Sequence, residues 1–316
     1  MSAKVGVFMP CYNLGDYIDE ALDSLYAQTF TDYTVIIADD ASPQKSTISK
    51  LQTITRPRCK IYYEKKNLGL IKISNKYMSL IDAEYIMLYS PDDKMDPRFL
   101  QEQVVYLDSH PNIHAVCTWV QEFGDGDGII KYYDELCTLP QMLVSNHFCG
   151  AALVRKSAWI AAGKHDTNKD LFPNLDYDLW LSMLEKGFKL GTIQKPLFYW
   201  RVTRDSLSHR VNPDQILVFR KALLKKYASI YKKHSEFVTN YYLSELSRFE
   251  KYYIDSEEGH EWLDSQYHNL IKQNAQLNEH NQELVERLSQ SIQRPYIRSI
   301  LGKIRKYYKH HLKPSA

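Results

Sequence analysis

The chain has 316 residues, enough for one large domain or a main domain with attachments, since single cores stop growing near roughly 250–300 residues. With 44% hydrophobic and 25% charged residues it is not a disordered chain, and no apolar run approaches the roughly 20 residues that cross a bilayer. The net charge of +2 hides an asymmetry: seven basic residues and no Asp or Glu follow from Arg294 onward, so the body, with 33 basic and 38 acidic residues, stands at −5.

The opening apolar run ends at Pro10, too short for a signal-peptide core. Five scattered cysteines (Cys11, Cys59, Cys117, Cys137, Cys149) contain no C-x-x-C pair, which argues against a disulfide framework or a structural zinc site. A reducing cytoplasm is therefore the expected compartment. Lys4–Met9 reads as a buried strand, Tyr33–Ala38 as a second, Cys59–Tyr63 as a third and Tyr85–Tyr89 as a fourth. Amphipathic segments near 15–28, 44–54 and 68–82 separate them; the last carries Leu70, Ile73, Tyr77, Leu80 and Ile81 at helical spacing. This alternation predicts βαβ units and a mostly parallel sheet, whose ligands bind beyond the carboxyl ends of the strands. The polar residues ending each strand are thus the candidates.

Past residue 210 the pattern turns helical. Asn212-Pro213-Asp214 reads as a helix start, and helical periodicity continues through Tyr253. Leu263, Leu270, Leu277 and Leu284 then recur every seven residues, with Tyr267, Asn274, Asn281 and Leu288 between them. This pattern fits either a short coiled coil that pairs two copies or a helix packed on its own domain. After Pro295, residues Ile297, Ile300, Leu301, Ile304, Tyr308 and Leu312 form an apolar stripe among basic residues. Such a helix suits an anionic membrane surface better than nucleic acid. The organisation expected is 1–210 as the α/β domain, 211–258 as a helical extension, 259–293 as the coiled-coil-like helix and 294–316 as the basic tail, with 294–313 as membrane contact.

Two acidic pairs end strands: Asp39-Asp40-Ala41-Ser42 after the second and Ser90-Pro91-Asp92-Asp93 after the fourth. Alone, each is a turn or cap signal. Together at one sheet edge they would repel unless a cation or donors lay between them, which a divalent metal with a substrate diphosphate provides.

At this point the chain resembles the family 2 glycosyltransferases of GT-A fold, inverting enzymes that use nucleotide sugars. Met9-Pro10-Cys11-Tyr12-Asn13 resembles the opening strand end, Leu25-Tyr26-Ala27-Gln28-Thr29-Phe30 the S-x-x-x-Q-T-F segment, Asp39-Asp40-Ala41-Ser42 the D-D-x-S motif and Asn67-Leu68-Gly69 the N-x-G motif. Leu175-Asp176-Tyr177-Asp178-Leu179-Trp180 is similar to E-D-x-D-L-W, and Leu197–Arg201 with Ser206-Leu207-Ser208 to the closing segment. The likeness spans roughly residues 4–208.

The resemblance implies a site. Pro10, Tyr12 and Asn13 would frame and stack on the nucleotide base, and Asp40 would accept its imide N–H, which favours uracil or thymine. Asn67 would complete the nucleotide pocket. Asp92 and Asp93 would bind ribose and a Mg²⁺ or Mn²⁺ ion on the diphosphate. Asp176 would be the general base, with Asp178 as its competitor beside it. Lys72 would replace the arginine missing before Asn75, and Arg201 and Arg204 could grip the diphosphate, although arginines beside aromatic residues are often merely stacked. Tyr12, Asp40, Asp92 and Asp176 are expected to face one hollow. Ser90 and Thr203 depart from the family pattern and place metal tightness in question.

The function implied is inverting sugar transfer from a UDP- or dTDP-linked donor to a hydroxyl of a glycan, lipid-linked, on the cytoplasmic side of the membrane. Two rivals remain. A nucleotidyltransferase would need a glycine- and basic-rich phosphate loop where Tyr12-Asn13-Leu14-Gly15-Asp16 stands. A non-catalytic scaffold would rest on a decayed sugar site. Acceptor contacts are expected within 122–150 and 163–175, with Asn146, His147 and Phe148 as candidates.

Overall fold

The computed structural model describes residues 2–132, 135–172, 174–203 and 212–255. The coiled-coil-like segment expected at 259–293 and the basic tail expected at 294–316, with Arg204 and Ser206-Leu207-Ser208, lie outside the described residues.

The first four strands form where the sequence predicts them: β1 (Ala3–Cys11), β2 (Tyr33–Asp39), β3 (Cys59–Tyr63) and β4 (Ala83–Leu88). Helices α1 (Ile18–Tyr26), α2 (Lys45–Thr53) and α3 (Leu70–Leu80) connect them. Parallel pairing gives the order β3-β2-β1-β4, with Val7 opposite both Val35 and Met87. Val5, Val7, Phe8 and Met9 are all fully buried, as expected of a central strand covered on both faces. Helix α1 buries Ile18, Ala21, Leu22 and Leu25, an i, i+3, i+4, i+7 stripe. Just after α3, Ile81 comes so close to β1 that a Cβ on Gly6 would stand 2.0 Å from one of its methyls. The predicted stripe of α3 holds at Ile73 and Tyr77 but not at Leu80, which is 59% exposed. Leu80 is the last helical residue, and Ile81 takes the core position as the chain turns into β4.

Beyond β4 the sheet becomes mixed. In chain order come β5 (Lys94–Met95), α4 (Phe99–Ser109), β6 (Ala115–Gly124), β7 (Ile129–Ile130), β8 (Leu136–Cys137), α5 (Leu139–Val144) and β9 (Leu153–Arg155). Helix α6 (Lys156–Ala162), α7 (Leu175–Glu185) and β10 (Leu190–Val202) follow. The short β9 lies antiparallel between β4 and β6, β6 pairs with β10 in parallel, and β5 closes the edge antiparallel to β10. The result is an α/β fold with a central, mostly parallel sheet.

The predicted helix start at Asn212 is realised as a reciprocal cap: Gln215 N–H donates to Asn212 Oδ1 (2.8 Å) while Asn212 N–H donates to Gln215 Oε1 (3.0 Å). Helix α8 (Pro213–Lys226) belongs to a first compact unit, residues 1–226; α9 (Ala228–Lys233) and α10 (Ser235–Asp255) belong to a second, residues 227–316. No helix among the described residues is long and apolar enough to cross a membrane.

Candidate active site

The carboxyl ends of β1, β2 and β3 gather the first group of predicted residues. Asn13 takes a left-handed conformation (φ 57°) just past β1. Its N–H donates to Ser42 Oγ (2.9 Å) and its Oδ1 accepts Gln44 N–H (3.2 Å), so the loops after β1 and β2 are laced together. Half-buried Pro10 precedes this loop, and Tyr12 stands 46% exposed upon it, with its ring available. Asp40 is buried, and its two oxygens accept the N–H groups of Leu68 (2.7 Å) and Gly69 (2.9 Å) at the start of α3. Asn67 Nδ2 donates to the Asp40 carbonyl (3.1 Å). Asp40 therefore does the cap work of an acidic pair, and any base imide must use the lone pairs that remain. Lys72 is exposed on the first turn of α3.

Asp92 and Asp93 lie in the turn that follows β4. Asp93 is nearly buried, its Oδ1 accepts the Arg201 backbone N–H (2.9 Å), and burial together with the neighbouring Asp92 charge pushes its carboxyl well above the usual range. The Ser90 hydroxyl donates to Asp92 Oδ1, so the residue that departs from the family pattern braces the next carboxylate. Arg201 is occupied: its guanidinium donates to the Asp92 carbonyl (2.8 Å), pairs with Glu20, and lies over the rings of Tyr17 and Phe123.

The two candidate bases separate clearly. Asp178 is 2% exposed, and Lys226 Nζ, from the end of α8, stands 2.8 Å from each of its oxygens and 2.7 Å from Asp166 Oδ2. Burial pulls the Lys226 ammonium down, but its two carboxylate partners outweigh it and hold the group charged. Asp176, in the same first turn of α7, instead lines a cavity of about 370 Å³ with Ser90, Asp93, Asn146 and Trp200. Burial raises its carboxyl above the ordinary value; Asn146 Nδ2, donating to Oδ2 at 3.1 Å, and the N–H groups of the helix start oppose that rise. A base with a raised pKa is better matched to proton transfer near neutrality.

Tyr12, Asp40 and Asp92 are not in this cavity's wall. The expected single hollow is thus a row of neighbouring strand ends, with Asp93 and Asp176 enclosed together and the base-side residues further along. The cavity lies within the roughly 300–1,000 Å³ typical of ligand sites. Among the described residues no group of three or more His, Cys, Asp or Glu could hold an ion. Asp92 and Asp93 are the residues that could hold a divalent cation, whose charge would offset the burial and the neighbouring Asp92 charge that raise Asp93.

Residues 6–168 match the family described as Glycosyl transferase family 2. The chain belongs to glycosyltransferase family 2. One relative is the putative teichuronic acid biosynthesis glycosyltransferase TuaG of Bacillus subtilis, 24% identical over 65% of this chain and 81% of that protein. Among solved structures, S. aureus TarS 1–349 in complex with UDP-GlcNAc has a TM-score of 0.57 at 15% identity, covering 70% of this chain and 66% of that one. The mannosyltransferase PcManGT from Pyrobaculum calidifontis, in complex with GDP-Man and Mn2+, has a TM-score of 0.59 at 16% identity, covering 90% and 89%. These neighbours share the family's GT-A fold.

Several site residues carried no clear sequence signal. Asn146 and Phe148 lie in the segment read as acceptor contacts, and Trp200 stands within the Tyr199-Trp200-Arg201 motif. Tyr132, Gly150 and His165, also in the cavity wall, fall within the segments 122–150 and 163–175 but were not singled out, and Lys226 looks like any basic residue closing a helix.

Proposed function

We propose that this protein moves a sugar, with inversion, from a UDP- or dTDP-linked donor to a hydroxyl of a lipid-linked surface glycan at the cytoplasmic face of the membrane. One observation carries the reading: Asp176 and Asp93, 83 positions apart, line one cavity of about 370 Å³. TarS bound to UDP-GlcNAc and the teichuronic acid role in TuaG's name support the donor and acceptor classes; the GDP-Man complex of PcManGT marks the competing donor.

Asp176 takes the proton of the acceptor hydroxyl as that oxygen bonds to the anomeric carbon, while the bond to the diphosphate breaks on the opposite face. Proton and leaving group thus depart on opposite sides, and no covalent enzyme intermediate forms. Tyr12 stacks on the base, and the Asp40–Asn67 contact holds the loop beneath it. Asp92 and Asp93 would hold Mg²⁺ or Mn²⁺, which supplies charge neutralisation to the departing diphosphate. The tail at 294–313 would keep the site near its acceptor, and 259–293 would pair two copies.

A panel of nucleotide sugars with a glycan acceptor, with and without Mn²⁺, tests this. Release of nucleoside diphosphate with a glycosylated product is expected, abolished in Asp176→Asn. Pyrophosphate as product would favour a nucleotidyltransferase, and no turnover with any donor would favour a scaffold.

A further inference from the structure

Among the described residues, the short segment from Asn146 to Gly150 meets the carboxylate of Asp176 from outside its own helix. Asn146 donates its Nδ2 hydrogen to Asp176 Oδ2 at 3.1 Å. The other end of that amide is also engaged: Asn146 Oδ1 accepts the N–H of Phe148 at 3.3 Å, an Asx turn. This second bond fixes which way the amide points. A flipped amide would set its NH₂ against the Phe148 N–H and its oxygen against a carboxylate. Gly150 meets the same carboxylate, since a Cβ there would stand 3.2 Å from Oδ2.

The fold delivers this segment deliberately. Helix α5 starts at a capping box, in which Thr138 N–H donates to Gln141 Oε1 (2.9 Å), and packs against α7. When α5 ends at Val144, the chain crosses the first turn of α7 before entering β9.

We propose that Asn146 is a positioning residue for Asp176, fixing the carboxylate through Oδ2 so that the base faces the acceptor hydroxyl in the cavity. This rests on the reading of Asp176 as general base.

The surroundings explain why a neutral donor is used. The titratable groups facing Asp176 in the cavity wall are Asp93, Tyr132, Cys149 and His165. Burial raises Tyr132 and Cys149, and lowers His165 to about 4, so each of these three is held toward its neutral form. Beside Asp176 on α7, Asp178 is paired with Lys226, whose ammonium is engaged by Asp178 and Asp166. His147 adjoins Asn146 in the chain. A cation against Asp176 would draw its pKa down and weaken it as a base, whereas an amide N–H orients it at smaller electrostatic cost.

The experiment compares Asn146→Ala and Asn146→Asp with the full-length wild type. It uses whichever nucleotide sugar of a panel the wild type turns over fastest, with a soluble glycan acceptor. For Asn146→Ala, kcat should fall roughly 10–100-fold while the donor KM stays within about threefold, as expected when a reacting group is misplaced. The acid limb of kcat/KM against pH should move upward, because one donor to the carboxylate is gone. Asn146→Asp keeps the acceptor for Phe148 N–H but sets a carboxylate against Oδ2, so its acid limb should lie higher still. That variant also serves if Asn146→Ala does not fold. An unmoved acid limb with kcat within about threefold of wild type in a folded variant overturns the proposal. Turnover retained in Asp176→Asn overturns the base assignment itself, whereas an inert Asp176→Asn beside an unperturbed Asn146 variant overturns only the role of Asn146.

Discussion

Lys226→Met should destabilise the first compact unit strongly, and more at neutral than at acidic pH. The Asp178 carboxylate is 2% exposed, with both oxygens 2.8 Å from Lys226 Nζ, so removing the ammonium takes away the opposite charge that faces it in a buried site. Breaking such a pair costs about 3–5 kcal/mol. The Lys226 side chain is 33% exposed and admits water, which argues for the lower end, about 3 kcal/mol. For a unit of this size each kcal/mol moves Tm by about 2–4 °C, so the expected loss is about 6–12 °C. In the variant the buried Asp178 carboxylate no longer faces the ammonium, so keeping it charged costs stability. That cost is present where the carboxylate ionises in the unfolded chain and fades as pH falls toward the ordinary carboxylate value near 4. Thermal melts at pH 7.5 and 5.5 should therefore show a gap that narrows with acid. Asp178→Asn/Lys226→Met should recover much of the loss, since it removes both charges together. Asp166→Asn alone should cost less than about 1 kcal/mol, because that pair is a third exposed. A Lys226→Met protein as stable as wild type at both pH values, or a double variant worse than the single, would refute the reasoning.

Other consequences can be measured separately. Gly150→Ala should cost roughly tenfold in kcat with little change in Tm, because its methyl presses on Asp176 Oδ2 beside an open cavity; unchanged kcat would show that the carboxylate yields freely. His165, with a folded pKa of about 4 against an unfolded value near 6.5, favours folding only while neutral, so its contribution falls as pH drops through that window. The loss between pH 7 and pH 5 is about 2 kcal/mol, and urea midpoints of His165→Asn should lack that acid slope. Asp40→Asn should lower Tm as well as uridine nucleotide affinity, since an amide cannot accept both the Leu68 and Gly69 N–H groups without turning a donor on one of them; calorimetry on the folded variant reads both.

The first four strands and their helices were legible because each is a local hydrophobic pattern that fills its place in a parallel sheet. The second half was not, because β5, β7, β8 and β9 are two or three residues long and exist only as additions to distant strands. The loops after β1 and β2 lie together, laced through Asn13, Ser42 and Gln44, and Asp40 caps the start of α3. Arg201 follows the reading of arginine beside aromatic rings as a stacked group, and its ion pair with Glu20 spans 181 positions.

By itself the sequence determined the alternating elements, the strand ends that gather polar residues, and the presence of two carboxylates at the start of α7. Only the tertiary structure decided which of those two opens on the cavity. Asp176 and Asp178 are alike in type and share one helical turn, but ionisation and access depend on what lies against each group. Those neighbours, Asn146 for one and Lys226 for the other, come from 30 and 48 positions away, beyond the reach of any local pattern.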